Sequence, residues 1–255
     1  MKFHPLCLAA LACVVLPLHA QQPPAPAPAP APGGDTPAVP EDKPGLKIRA
    51  LTFQMNAAPP DVFAHDPATG GKVPGIKVEL KSYLNHEFNL QPTHPDSLIF
   101  TNSADPTSIN TPANVLAKTK VPANIKSGIF MFFPGTGKPG DAQFRVMVIE
   151  DTKSAFPQGS FKVMNLSPTK VRIQLENQNY PFASGESKLI ENPPVGANNS
   201  SGMKAFASVN GQEVRIAAGV WPHPGTKRSL QVLFLNPETE QVEIRGIRDV
   251  AAEEF

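Results

Sequence analysis

His86 and His94 stand eight positions apart in LNHEFNLQPTHPD, with Glu87 and Asp96 beside them and His65 and Asp66 a short way upstream. Imidazole and carboxylate groups of this kind suit zinc or a related divalent metal. The spacing argues against that use. It matches neither an i, i+4 pair on a helix nor a same-face pair on a strand, and Pro92 interrupts it. These side chains read as loop residues, and no metal is assigned. A second candidate is FMFFPGTGKPGDAQFRVMVIED, Phe130 to Asp151, whose G-T-G-K invites comparison with a phosphate cradle. Such a cradle needs G-x-x-x-x-G-K-[ST] with a helix starting behind it. Here Phe132 stands where the first glycine belongs, and Pro139 after Lys138 removes a backbone donor. The β-branched run that follows is strand-like. The loop is the tip of a β-hairpin.

Hydrolytic chemistry finds equally little. Glu150, Asp151, Glu186, Glu191 and Glu213 fall near strand ends, and a glycosidase would need two of them facing each other across a cleft. They read as solvated turn carboxylates. ASGES (Ala183 to Ser187) does not match the G-x-S-x-G elbow of a serine nucleophile. No catalytic residue and no cofactor is assigned. The remaining candidates are aromatic: Trp221 with Tyr180, Phe182 and Tyr83 would stack on a sugar ring or fill a partner's pocket if exposed on loops. The alternative for Trp221 is packing over the end of a sandwich.

The elements that must position these residues are strands. GIKVELKSY alternates Ile76, Val78 and Leu80 with Lys77, Glu79 and Lys81; KVRIQLEN alternates Val171, Ile173 and Leu175 with Arg172, Gln174 and Glu176. QVEIRGIRD alternates until Gly246, where the phase slips as at a β-bulge. Asn210-Gly211 between two strands predicts a type I′ hairpin, and Asn236-Pro237 opens a type I turn in another. Many short strands with Pro and Gly turns predict an all-β chain of antiparallel sandwiches. The halves also rhyme. GIFMFFPGTGKPGDAQFRVMVIED ends on Ile149-Glu150-Asp151, and SLQVLFLNPETEQVEIRGIRD ends on Ile247-Arg248-Asp249. The expectation is two tandem immunoglobulin-like β-sandwich domains, 46–152 and 153–250, with one continuous large sandwich as the alternative and an acidic tail at 251–255.

The N-terminus reads as an address. Lys2, the apolar run LCLAALACVVLPL and His19-Ala20 form a secretory signal peptide over 1–20, cut after Ala20. A lipoprotein signal with Cys13 as the modified residue is the competing reading. Both cysteines, Cys7 and Cys13, lie in the signal, so the chain from Gln21 onward has no disulfide and no thiolate chemistry. Residues 21–45 form a Pro/Ala-rich disordered leader that extends as polyproline II and acts as a spacer. Without Lys2, basic and acidic side chains balance at 22 each, which offers nucleic acid no concentrated field. No membrane span remains after signal cleavage.

FPQGSFKVMNLSPTKVRIQLEN, FASGESKLIENPP and GVWPHPGTKRSLQVLFLN resemble a pattern in secreted bacterial β-sandwich proteins of unknown function. The matching features are F-P-x-G-S, Asn165-Leu166-Ser167, the Gly185 turn, Trp221-Pro222 and Arg228 entering a strand. The resemblance covers mainly the C-terminal half and implies compartment and fold class. In outline the chain also resembles periplasmic pilus chaperones, without their basic and acidic signature. The expectation is an exported protein, periplasmic or extracellular. It would be a non-enzymatic envelope or cell-surface interaction or structural component whose partner is an envelope protein or a polysaccharide. A carbohydrate- or peptide-binding module and a secreted hydrolase are the alternatives.

Overall fold

A computed structural model describes residues 45–55, 60–84, 89–91, 93–123 and 125–249. Residues 1–44, with the expected signal segment and most of the expected leader, His86 and the acidic stretch at 251–255 lie outside the described residues. Within them the all-β expectation holds: there are seventeen strands, three short 3-10 turns and no α-helix. The first half contains β1 (Leu46–Thr52), β2 (Val62–His65), β3 (Ile76–Val78), β4 (Leu80–Lys81), β5 (Asn89–Gln91), β6 (Ser97–Thr101), β7 (Val115–Lys120), β8 (Ser127–Pro134) and β9 (Phe144–Glu150). The second contains β10 (Phe161–Asn165), β11 (Val171–Leu175), β12 (Gln178–Phe182), β13 (Ser187–Ile190), β14 (Ser200–Val209), β15 (Gln212–Pro222), β16 (Arg228–Leu235) and β17 (Val242–Asp249).

The two halves repeat one strand order. One sheet runs β4-β1-β8-β9, with β5 also on β1, and its counterpart runs β13-β10-β16-β17; the others run β3-β2-β6-β7 and β12-β11-β14-β15. In each half the first strand lies parallel to the penultimate one, β1 on β8 and β10 on β16. Register makes the correspondence residue by residue. Arg49 faces Ile129, which faces Ile149; Lys162 faces Leu230, which faces Ile247. This order is not the immunoglobulin one. There the first two strands pair in one sheet, whereas here β1 and β2 lie in opposite sheets, as do β10 and β11.

Three apolar layers separate the four sheets. Ile48, Ala50, Phe130, Phe132 and Phe144 meet Val62, Ala64, Leu98, Phe100 and Ala117 between the first pair. Phe161, Val163 and Leu233 meet Val171, Ile173, Leu175, Ala205 and Trp221 between the second. The third layer joins the halves: Leu51, Phe53, Ile129, Met131 and Ile149 pack with Met164, Leu230, Val232 and Ile247. The sheets carrying β8 and β16 are therefore covered on both faces. That is why IFMFF and VLF are unbroken apolar runs rather than alternating ones.

The same layering corrects two sequence expectations. The phase slip at Gly246 is not a bulge, since β16 and β17 keep one register from Arg228↔Asp249 to Leu235↔Val242. Val242 and Ile244 serve the layer on one face of β17, and Ile247 serves the layer on the other. The true irregularities lie at Phe100/Thr101 in the β6–β7 pair and Ala205/Phe206 in the β14–β15 pair, corresponding places in the two halves. GIKVELKSY, in turn, is not one strand: β3 pairs with β2, while β4 crosses to the other sheet and pairs with β1.

The Asn210-Gly211 hairpin forms as expected, with φ of 51° and 79°. A side chain at Gly211 meets open space, so its cost is backbone strain alone. Gly211→Val is expected to lose about 1–2 kcal/mol, read as a lowered urea midpoint at unchanged slope.

Candidate functional site

Among the described residues, four buried charged side chains converge between the halves. Arg49 on β1 donates from Nε and Nη2 to the two oxygens of Asp151, at 2.8 and 2.7 Å. It donates from Nη1 and Nη2 to the two oxygens of Asp249, at 2.6 and 2.8 Å. Arg228, the first residue of β16, donates to Asp249 Oδ2 from Nε and Nη2, to Asp151 Oδ1 from Nη2 and to the Phe156 carbonyl from Nη1. Its guanidinium lies 4.6 Å from the centre of the Phe156 ring. All four side chains are buried, with Asp249 at 0 % exposure. Two positive and two negative groups make the cluster neutral, and fork-on-carboxylate geometry supplies the strong form of the bond. Burial alone would lower the Arg49 guanidinium, but hydrogen bonds and charge from Asp249 and Asp151 outweigh it and raise its pKa above the ordinary arginine value.

The sequence builds this cluster from the Ile-x-Asp rhyme. Asp151 and Asp249 occupy corresponding places at the ends of the last strands, where Ile149 and Ile247 anchor the shared apolar layer. The arginines break the correspondence. The place of Arg49 is taken in the second half by Lys162, whose Nζ donates to the Ala155 carbonyl at 3.0 Å. The place of Arg228 is taken in the first half by Ser127, whose Oγ reaches Asp151 at 3.4 Å. Burial lowers the Lys162 pKa, with Glu150 and Asp151 opposing it. Asp151 is thus not the solvated turn carboxylate the sequence suggested, while Glu150, Glu191 and Glu213 are exposed. The cluster offers no nucleophile and no open position. Chemically it is a joint.

A second polar knot lies in the first half. His65, on β2, places Nε2 2.9 Å from Thr101 Oγ1 and 3.1 Å from the Ser103 carbonyl, with Ser108 Oγ at 3.3 Å. Gly75 is required beside it, because a β-carbon there would run into the imidazole. The Ser103 carbonyl can only accept, which places the proton on Nε2 and leaves buried Nδ1 without a partner. A second proton would put an unsatisfied N–H on Nδ1. Burial accordingly lowers the His65 pKa, against the raising effects of Ser103 and Asp105. Because the folded value lies below the unfolded one, the unfolded chain takes up the proton first. Stability is then expected to fall as pH drops below the ordinary histidine value of about 6.5. Thermal unfolding from pH 7 to 5 checks this, and His65→Gln should flatten that part of the curve.

The four aromatic candidates separate. Trp221 is 7 % exposed and packs at 5.0 Å on Phe161, while Phe182 is fully buried in the same layer. Tyr180 is half-buried against that layer and donates its hydroxyl to Gln178. Tyr83 belongs to the first half, is exposed, and has the Lys81 ammonium 6.0 Å from its ring. The structure brings Trp221, Phe182 and Tyr180 together and leaves Tyr83 apart. Trp221 also lines a shallow groove between β15 and β17 with Met203, Ile216, Gln231 and Ile244. A corresponding groove lies between β7 and β9 in the first half. Where the first half has Phe130 facing Val148, the second has Gln231 facing Gly246, and a β-carbon on Gly246 would meet the Gln231 amide.

The glycine-rich tip is a self-contained turn between β8 and β9: Lys138 N–H reaches Thr136 Oγ1, Asp141 N–H reaches the Lys138 carbonyl, and the Lys138 side chain is exposed. His94 Nε2 lies 2.6 Å from the Ile125 carbonyl, and His223 Nδ1 accepts from Gly225 N–H. Among the described residues no group of three or more His, Asp or Glu side chains is placed to hold a metal, and no helix is long and apolar enough to cross a membrane. Comparison with known proteins finds no family model and no curated relative that matches the chain.

Proposed function

We propose that the protein is an exported, non-enzymatic component of the cell envelope or surface that acts by interaction or as a structural part. In this reading it consists of two tandem sandwich domains, 46–152 and 153–250. They are immunoglobulin-like in being paired, mostly antiparallel sheets, with a strand order of their own. One observation carries the reading. Among the described residues the four-membered cluster of acidic and basic side chains is buried and satisfied from within, so its charges fasten the halves instead of meeting a substrate. Such a body holds its two outer sheets at fixed spacing. The test is in-cell crosslinking followed by capture of the tagged chain from envelope and cytosolic fractions. Recovery from the envelope, with Gln21 as first residue and the same crosslinked partner in replicate captures, supports the proposal; recovery of the full-length chain from cytosol alone contradicts it.

A binding module for carbohydrate or peptide is the second reading. It is favoured by the groove in which Trp221 lies beside Gln231 and Gly246, where the first half fills the corresponding places with Phe130 and Val148. A panel of soluble oligosaccharides in a thermal-shift assay tests it, with Trp221→Phe as the variant that should reduce any response.

A further inference from the structure

Sheet edges expose unpaired backbone groups, and folded proteins blunt them with short strands, charges, proline or bulges. Most edges here are treated that way. β3, β4, β5 and β13 have four residues or fewer. β12 has five and contains Pro181. β7 has six and carries Lys118 and Lys120, while β9 carries Arg145 and Glu150, and β17 carries Glu243, Arg245 and Arg248. β15 differs. It has eleven residues; Glu213 and Arg215 precede the bulge and Pro222 ends the strand, which leaves Ile216–Trp221 uncharged and free of proline. Among the described residues it pairs only with β14, and the β-bulge falls at the start of this stretch, leaving Ala217 to Pro222 in unbroken register. Val220 is 63 % exposed, the highest of the exposed large apolar side chains, and Val214 lies on the same strand.

We infer that the β15 edge pairs with the same edge of a second copy of the chain, antiparallel, to make a twofold dimer with one continuous outer sheet. The missing partner must supply backbone donors and acceptors, which an extended strand does and a folded surface patch does not. The choice of a second copy rests on charge and shape. From Ala217 to Trp221 the edge has no charge with which to select a charged partner and none to repel itself. Antiparallel pairing centred on Gly219 sets Val220 of each copy beside Ala218 of the other on the outer face, large against small, and Gly219 against Gly219 on the inner face. Such self-matching is what a twofold interface requires.

Sedimentation velocity on the exported chain, from dilute to concentrated samples, tests this. The expected result is a concentration-dependent species of twice the monomer mass, with slowed amide exchange at residues 217–221 in the concentrated sample. Val220→Lys and Ala218→Lys are both at exposed positions; each alone brings its two lysines diagonally across the twofold, and together they set lysine directly opposite lysine, so each should raise the midpoint of self-association by about tenfold or more and the double variant further. Val73→Lys, an exposed site in the other half, should leave it unchanged. A monomer at every concentration overturns the inference. So does a dimer that Val220→Lys does not weaken while the variant keeps the parent melting temperature.

Discussion

Asp249→Ala is expected to destabilise the protein by about 3–5 kcal/mol, the loss typical when one partner of a buried ion pair is removed. The magnitude follows from what is left behind. Asp249 accepts two hydrogen bonds from Arg49 and two from Arg228, and its removal leaves two guanidinium groups sharing Asp151 in a buried space. Asp249→Asn keeps the shape but loses the charge and should fall between the parent and the alanine variant. Urea unfolding monitored by tryptophan fluorescence reads both, since Trp221 is the chain's one tryptophan and sits in the second half. Replacing all four charges by apolar residues of similar volume should cost far less, because nothing is then left unpaired.

Phe156→Ala is the second large effect, expected at about 3–5 kcal/mol for deleting a buried phenylalanine ring. Phe156 lies in the segment between β9 and β10, yet it is fully buried in the layer that joins the halves. Its amide donates to the Thr152 carbonyl, its own carbonyl accepts from Arg228, and its ring lies against the Arg228 guanidinium. Alanine retains the backbone bonds and removes the ring, so the connecting segment should loosen. Tryptic cleavage after Lys153, an exposed residue of that segment, is expected to accelerate with the loss of stability.

The sequence made the strands legible because their period is local. KVRIQLEN alternates for a strand with one face on a core, and β11 follows that pattern. Asn210-Gly211 announces its turn by backbone chemistry alone. What it could not reveal was a core on both faces of β8 and β16. An unbroken apolar run shows that both faces are covered but not by what, and at Gly246 the change of face looked like a bulge. The joint was half visible. Ile-x-Asp occurred twice, and the repetition marked corresponding strand ends, but a carboxylate after a strand is usually solvated and nothing local signals burial. Arg49 and Arg228 stand at non-corresponding places, so the rhyme did not include them. Trp221 gives no local sign either, since a tryptophan before proline reads the same on a loop or, as here, against Phe161 in a core.

Differential scanning calorimetry of the chain from Gln21 onward tests most directly whether the buried cluster and its apolar layer make the two halves one body. A single transition is expected, with calorimetric and van't Hoff enthalpies in agreement. In Asp151→Asn with Asp249→Asn, that transition should split or broaden as the halves melt separately. Two resolved transitions in the unaltered protein, each unmoved by those substitutions, would contradict it.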